Sequence, residues 1–481
     1  ARVGCADLTA LATSALTRPP SRLPGPSLAP QLARQLLREP GARVVTTLAA
    51  PVQRRVREVL ARQLGSLGDR NVRDAAALVV DNASGDVLAY VGSAGPHSSA
   101  SAVDGARALR QAGSTLKPFL YGLAFERRYL TPASLLEDSP INLETTSGLY
   151  IPQNYDHRHL GVVSARTALA GSLNIPAVRT LILVGVDGFR ERLDELGYDA
   201  LDRDAAHYGY SLALGSAEVS LLQQANAYRV LANGGLWSAL RILPSSTRAL
   251  RPRRVMPEAV AFLVSDVLAD PAARAASFGL ASPLATRGWA AVKTGTSKDM
   301  RDNWCVGYSD RYTVAVWVGN FEGDSMHDVS GVTGAAPAWA EIMQWLHEDR
   351  PSRPPRAPAG LVAREVEFVP AVEPARRGWF LAGTELDRVE VLARGPATAR
   401  IASPANGATI ALDPDIPAAN QLVIIEGRGA DASLALYLDG RRLGSAERPR
   451  RWRPVPGEHR VELRTHDGRV RDTARFTVRG I

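Results

Sequence analysis

Gln111-Ala112-Gly113-Ser114-Thr115-Leu116-Lys117-Pro118 sets a serine three residues ahead of a lysine. At i and i+3 on a helix the two side chains share one face, within hydrogen-bonding reach. A serine hydroxyl becomes a nucleophile when a neighbouring base takes its proton. Lysine serves as that base when burial or a second positive charge lowers its pKa. Pro118 removes one amide from the early helical ladder, which places Ser114 at the start of a helix predicted over 114–128.

Lysine is rare here: of 57 lysine and arginine residues only Lys117, Lys293 and Lys298 are lysines. Arginine does most of lysine's surface work but stays protonated and cannot accept a proton, so these three positions are informative. Lys293-Thr294-Gly295-Thr296-Ser297 follows the apolar run Trp289–Val292. On an edge strand it offers a positive charge and two hydroxyls to a carboxylate. Gly295 leaves room for a backbone to approach, and a ligand chain can pair with such an edge as an added strand. Between the two lysines lies Ser172-Leu173-Asn174. If that segment is extended, its hydroxyl and amide point the same way, Asn174 toward a peptide amide and Ser172 as a proton relay. Taken singly these pieces also read as a surface neighbour pair, a turn and a cap.

The rest of the chain supplies a frame. Arg43–Leu48 reads as a strand, and Val52, Val56, Leu60 and Leu64 recur every four residues behind Pro51 as an amphipathic helix. Ala75–Asp81 and Val87–Gly92 flank an Asn/Ser/Gly turn as a hairpin. Helices are expected through 163–233, including Glu218–Leu231, then over 255–270 and Ala338–His347, with strands at Trp304–Tyr308 and Tyr312–Gly319. Trp304, Cys305 and Trp317 read as core. Composition breaks at Glu348–Arg356, where proline and charge leave nothing to bury. Beyond it, period-two runs such as Leu434, Leu436 and Leu438 predict short strands.

With Ser114-x-x-Lys117, Ser172-x-Asn174 and Lys293-Thr294-Gly295 in this order, the chain resembles the penicillin-binding proteins, most of all the bifunctional class A members of the 1C type. Arg107–Ser114, Pro152-Gln-Asn-Tyr-Asp156, Arg301–Tyr312 and Gly331–Pro337 add to the likeness, as do Ile401–Gly407 and Leu412–Pro417 in the tail. The resemblance implies an α/β (α+β) penicillin-binding, serine β-lactamase-like transpeptidase domain, an antiparallel sheet flanked by helices. A small all-β, Ig-like sandwich is expected to follow. The expected divisions are a remnant or linker at 1–40, a linker at 41–74, the transpeptidase domain at 75–348, a connector at 349–400 and the sandwich at 401–481. The family's membrane anchor and glycosyltransferase domain are expected ahead of residue 1, with 7–23 resembling the end of that domain.

The resemblance further implies that Ser114 attacks the carbonyl between the terminal D-alanines of a peptidoglycan stem peptide. Lys117 then acts as base, Lys293 keeps it partly neutral, and Ser172 passes a proton to the leaving D-alanine. The amides of Ser114 and Thr296 would hold the oxyanion, Thr294, Gly295 and Thr296 the substrate carboxylate end, and Asn174 the acyl-side amide. Tyr155 would stand on the cleft wall. No cofactor or metal is called for. Stem peptides and β-lactams are the expected partners, with wall-synthesis proteins docking on the tail. The place of action is the periplasmic side of the bacterial inner membrane, reached only through an N-terminal anchor.

A net charge of +8 permits an anionic partner, yet no nucleic-acid module appears and that partner is not expected. Cys5 and Cys305 cannot form a disulfide framework, no HExxH is present, and no run of 18 apolar residues occurs. A serine β-lactamase, which needs a further base for a deacylating water, and a D,D-carboxypeptidase share the same acylation machinery. A regulatory module that keeps the penicillin pocket without wall chemistry is the alternative of a different class.

Overall fold

The structure, a computed structural model, describes residues 27–94, 98, 100–141, 143–145, 148–156, 158–244, 251–391, 399–411 and 421–479. Cys5, the segment 7–23, Leu412–Pro417 and part of the basic run Arg248–Arg254 lie outside the described residues.

The expected hairpin is β1 (Asp74–Asp81) and β2 (Val87–Val91), joined to β3 (Ala291–Thr296), β4 (Asp302–Tyr308) and β5 (Tyr312–Gly319) in one sheet. The order is β3–β4–β5–β1–β2, every pair is antiparallel, and β3 is an edge. Both faces of the sheet are covered, so β1 reads as a continuous apolar run rather than an alternating one. Ala76, Leu78 and Val80 enter one core, and Ala75, Ala77 and Val79 enter the other. Helix α1 (Ala50–Ser66) buries Val56, Leu60 and Leu64 in the second core, beside Trp339. On the opposite face pack α2 (Lys117–Glu126), α3 (Ala165–Ala170), α4 (Asn174–Val184), α5 (Leu221–Ala232), α6 (Glu258–Leu268) and α7 (Pro271–Phe278). Helix α8 (Ala336–Leu346) closes the domain. Among the described residues no helix is long and apolar enough to cross a membrane.

Arg43–Leu48 does not form a strand. The segment runs along the surface with Val45 77% exposed, and it is fastened through Thr47, whose N–H donates to Ile242 O at 2.8 Å and whose hydroxyl donates to Val87 O at 2.8 Å. The run lies beside the edge strand β2, where Ala49 N–H donates to Leu88 O at 2.9 Å, but these isolated hydrogen bonds do not add up to a ladder, so it remains extended without becoming a strand.

The segment carrying Ser114 enters as a 3₁₀ turn, Gly113–Leu116, which runs directly into α2. It is sewn to the chain 100 residues on: Ala112 N–H donates to Ala217 O and Gly113 N–H to Gly215 O, each at 3.0 Å. A Cβ on Gly215 would stand 1.8 Å from Gly113 O, and Gly215 sits at φ +75°. Steric overlap and left-handed strain therefore act together. Gly215→Ala is expected to lower unfolding stability by about 3 kcal/mol or more. Chemical denaturation checks this, and a change within experimental error would mean that the two turns move apart freely.

Residues 361–390, inside the stretch expected as a plain connector, build a sheet of β6 (Leu361–Val369), β7 (Arg376–Leu381) and β8 (Arg388–Glu390). Val366, Phe368 and Phe380 pack there with Ala133, and Trp379 meets Phe262 of α6 edge-on at 5.7 Å. The apolar positions are too few and too widely spaced to announce a domain. The sheet is stable because the larger domain covers one of its faces.

The tail is strand-rich, as its period-two pattern predicts. Strands β9 (Arg400–Ser403), β10 (Ala408–Ala411), β11 (Val423–Arg428), β12 (Leu434–Leu438), β13 (Arg441–Ser445), β14 (Arg450–Trp452), β15 (Gly457–Thr465) and β16 (Val470–Arg479) form two sheets. Their orders are β9–β11–β14 and β10–β16–β15–β12–β13. Leu434, Leu436, Leu438, Val461, Leu463, Ala474, Phe476 and Val478 share one core.

Candidate active site

A cleft of about 740 Å³ opens along the edge strand β3 and gathers Ser114, Ser172, Asn174, Thr294 and Thr296 from three separate parts of the chain. Tyr155, 62% exposed, stands on its wall beside Tyr150 and Asp156. The third lysine, Lys298, lines it too, so all three lysines of the chain belong to one site. Lys117 and Lys293 lie behind the cleft and are buried.

Each side chain has a structural reason for its place. Helix α5 holds the Ser114 turn from below: Tyr228 Oη donates to Thr115 O at 2.8 Å, and Gln224 Nε2 donates to Thr115 Oγ1 at 2.6 Å. Trp304 is buried and donates from Nε1 to Gln111 O at 2.8 Å, which ties β4 to the same turn. Gly295 faces this turn, where a Cβ would come within 2.8 Å of both Ala112 O and Thr115 Cγ2. The backbone that Gly295 admits is the chain's own Ala112–Thr115 turn. Ser172 lies between α3 and α4 at φ +63°, a left-handed conformation unusual for a serine, followed by an extended Leu173.

The two buried lysines divide their work. Lys293 Nζ donates to Ser172 Oγ at 2.7 Å and to Thr294 O at 2.8 Å. Lys117 Nζ donates to Ser172 O at 2.7 Å, Leu173 O at 3.1 Å and Asn174 Oδ1 at 2.6 Å. The direct Ser114–Lys117 hydrogen bond expected from i, i+3 spacing is not formed among the described residues, because the carbonyls around the left-handed Ser172 take the ammonium instead. Burial, and then the Lys293 charge nearby, hold Lys117 well below the ordinary lysine range. Burial lowers Lys293 to about 7. A neutral amine has only two N–H donors, so losing its proton frees Lys117 from one of the three acceptors and leaves a lone pair for a serine proton.

Asn174 is engaged on both sides, its Oδ1 by Lys117 and its Nδ2 donating to Gln153 O at 2.8 Å. Thr296 Oγ1 accepts from Gly331 N–H at 3.0 Å. Two residues escaped the sequence reading. Asn154 Oδ1 accepts from Asn174 N–H at 2.9 Å, and its Nδ2 donates to the fully buried Asp138 at 2.7 Å. The stretch Pro152–Asp156 was a signal for this region, but it drew attention to Tyr155 and not to its buried neighbour. Among the described residues no group of three His, Cys, Asp or Glu side chains could hold a metal ion.

The lysine pair makes a thermodynamic prediction. Above the unfolded-state value of 10.5, Lys293 is neutral in both states. As pH falls toward about 7 the unfolded chain takes up a proton that the folded site refuses, so folding stability falls; below about 7 the full cost is present. Relative to Lys293→Met, the wild type should gain about 2 kcal/mol between about pH 7 and 9. Urea unfolding of both chains across that range measures it, and a constant difference would mean an ordinary lysine.

Comparison with known proteins finds relatives of both parts of the chain. The penicillin binding protein transpeptidase domain family matches residues 75–344, and the Penicillin-Binding Protein C-terminus Family matches 389–476. Penicillin-binding protein 1C of Escherichia coli (strain K12) is 34% identical over 322 residues, covering 66% of this chain and 40% of that protein. Penicillin-binding protein 1A of Neisseria lactamica is 30% identical over 280 residues, covering 54% and 34%. The chain thus spans less than half the length of these relatives. Among solved structures, penicillin-binding protein 1A from Haemophilus influenzae shares the fold at TM-score 0.56 and 24% identity, over 65% of this chain and 54% of that one. PonA1 from Mycobacterium tuberculosis, solved with penicillin V, does so at 0.56 and 22%, over 69% and 93%. The chain belongs to the penicillin-binding protein transpeptidase family and is similar to penicillin-binding protein 1C.

Proposed function

We propose that this chain is a serine D,D-transpeptidase of peptidoglycan synthesis, acting through an acyl-enzyme on Ser114 and inactivated by β-lactams. The observation that carries the reading is the meeting of Ser114, Ser172, Thr294 and Thr296 in one cleft backed by two buried lysines of lowered pKa.

In this reading neutral Lys117 takes the Ser114 proton as Oγ attacks the carbonyl between the terminal D-alanines. The amides of Ser114 and Thr296 receive the oxyanion, where fixed donors in a cleft outperform water. Ser172 passes a proton from the Lys293 ammonium, hydrogen-bonded to its Oγ, to the leaving D-alanine nitrogen as the C–N bond breaks. An amine from a second stem peptide then attacks the ester, giving its proton back through Ser172 to Lys293, and Ser114 Oγ leaves with the proton held on Lys117, which forms the cross-link and restores the site. Thr294 and Thr296 bind the substrate carboxylate beside Gly295, and Asn174 exchanges Gln153 O for the acyl-side amide. Tyr155 borders the donor peptide. The penicillin ester follows the same route, and its tethered ring fragment shuts out the acceptor.

The same reading divides the chain into a transpeptidase domain over 75–348 and an Ig-like sandwich over 401–481, placed on the periplasmic side of the bacterial inner membrane. Stem peptides are its substrates, and wall-synthesis proteins are the partners for the tail. The test is D-alanine release from a pentapeptide donor with and without an amine acceptor. Cross-linked product appearing with acceptor is the expected result. Release by water alone would make the chain a carboxypeptidase, and rapid penicillin turnover would make it a β-lactamase.

A further inference from the structure

Glu373 lies between β6 and β7, outside the catalytic-type domain, yet it is buried against it. Its Oε1 accepts from Ser164 N–H at 2.7 Å and its Oε2 from Ser164 Oγ at 2.9 Å. Ser164 is the N-cap of α3, with Oγ accepting from Thr167 N–H at 3.1 Å. Arg376, the first residue of β7, donates to Glu373 Oε2 at 2.6 Å and stands 3.7 Å from Asp270 Oδ2. Asp270 caps α7 by accepting from the N–H groups of Ala272 and Ala273 at 2.9 and 3.1 Å. Arg166 of α3 completes the chain of alternating charges, donating to Asp270 at 3.0 Å and pairing with Asp266.

The two helices gripped at this end both finish at the cleft. Helix α3 runs into Gly171-Ser172-Leu173, whose N–H groups donate to Thr167, Leu169 and Ala168 carbonyls at 2.8, 3.1 and 3.0 Å. Helix α7 ends with Ser277 and Phe278, both cleft-lining. The far ends also touch, since a Cβ on Gly171 would fall 2.7 Å from Ser277 Oγ. Helix α3 is rigid and only about 9 Å long at 1.5 Å per residue. A shift at Ser164 therefore reaches Ser172, whose hydroxyl meets Lys293 and whose carbonyl meets Lys117.

We infer that the Glu373–Arg376 pair is a positioning device for acylation, by which the small sheet of 361–390 holds α3 and α7 so that Ser172 and the cleft wall keep their places. This rests on the reading of Ser114 as the acylated nucleophile. Neither residue touches substrate, so the expected effect falls on the acylation rate constant and not on the initial affinity.

The experiment uses the full chain with Glu373→Ala, Glu373→Gln, Arg376→Met and, as a control on the same sheet, the exposed Arg388→Ala. Benzylpenicillin acylation is followed by intact mass against time and drug concentration, and amide hydrogen exchange is read in 165–174 and in β1. Glu373→Ala should lower the acylation rate constant by about 10- to 100-fold with half-saturation within about twofold. Exchange at 171–173 should rise about tenfold while β1 is unchanged. Glu373→Gln, which keeps an acceptor for Ser164 N–H, should fall between Ala and wild type, and Arg388→Ala should match wild type. Wild-type acylation and exchange in Glu373→Ala would overturn the inference, as would exchange rising equally in β1. If Glu373→Ala does not fold, Arg376→Met decides: a rate and an exchange at 171–173 both within about twofold of wild type overturn it. A wild-type chain that takes up no penicillin would instead sink the functional reading on which the inference rests.

Discussion

Ser114→Ala should form no penicillin adduct, with acylation at least about 10⁴-fold slower than in the wild type. Its unfolding free energy should stay within about 0.5 kcal/mol. Both halves follow from the geometry. Ser114 Oγ makes no hydrogen bond to a described residue, whereas the turn carrying it is held through backbone and through Thr115, by Gly215, Ala217, Gln224 and Tyr228. Removing the hydroxyl thus deletes the reacting atom and leaves its supports intact. Intact-mass spectrometry after incubation with benzylpenicillin, beside a denaturation curve, measures both. A stoichiometric adduct on the alanine variant would locate the nucleophile elsewhere and remove the mechanism proposed for this cleft.

Lys117→Arg should lose at least about 10³-fold in acylation rate, although it conserves charge. Lys117 Nζ sits wholly buried against three acceptors, with a second cation nearby, and every one of those features except the acceptors favours the neutral amine. A guanidinium in its place stays charged and cannot take the serine proton. The wild-type acylation rate should fall as pH is lowered and the lysine becomes protonated, while the residual rate of the arginine variant should not follow that limb. Acylation by Lys117→Arg within about tenfold of wild type would exclude Lys117 as the base. The variant should also be less stable, because the larger, permanently charged group enters a packed site.

Much of this candidate site is legible in the sequence. Ser114, Lys117, Ser172, Asn174, Lys293, Thr294 and Thr296 are marked by residue type and order, and the scarcity of lysine marks three positions, two of which the structure buries behind the cleft and one of which lines it. The hairpin β1–β2, the strands β4 and β5, helix α1 and the alternation in β12 are equally plain, since each follows from periodicity within a dozen residues. Arg43–Leu48 shows the limit of that signal. Its strand-like composition is real, but a strand needs a regular ladder, and the segment meets the β2 edge only at isolated hydrogen bonds, a matter of register that lies outside any local window.

What sequence order leaves open is which atom meets which. The i, i+3 spacing points Lys117 at Ser114, yet its ammonium goes to the carbonyls of Ser172 and Leu173, more than 50 residues away, because a left-handed Ser172 turns them inward. Asn154 and Asp138 brace Asn174, Gly295 receives the Ala112–Thr115 turn, and Glu373 reaches back 209 residues to Ser164. Residue types and local periods are properties of short stretches and can be read from them. Burial, hydrogen-bond partners and lowered lysine pKa values arise from contacts between distant segments, and they come into being only when the chain has folded and excluded water.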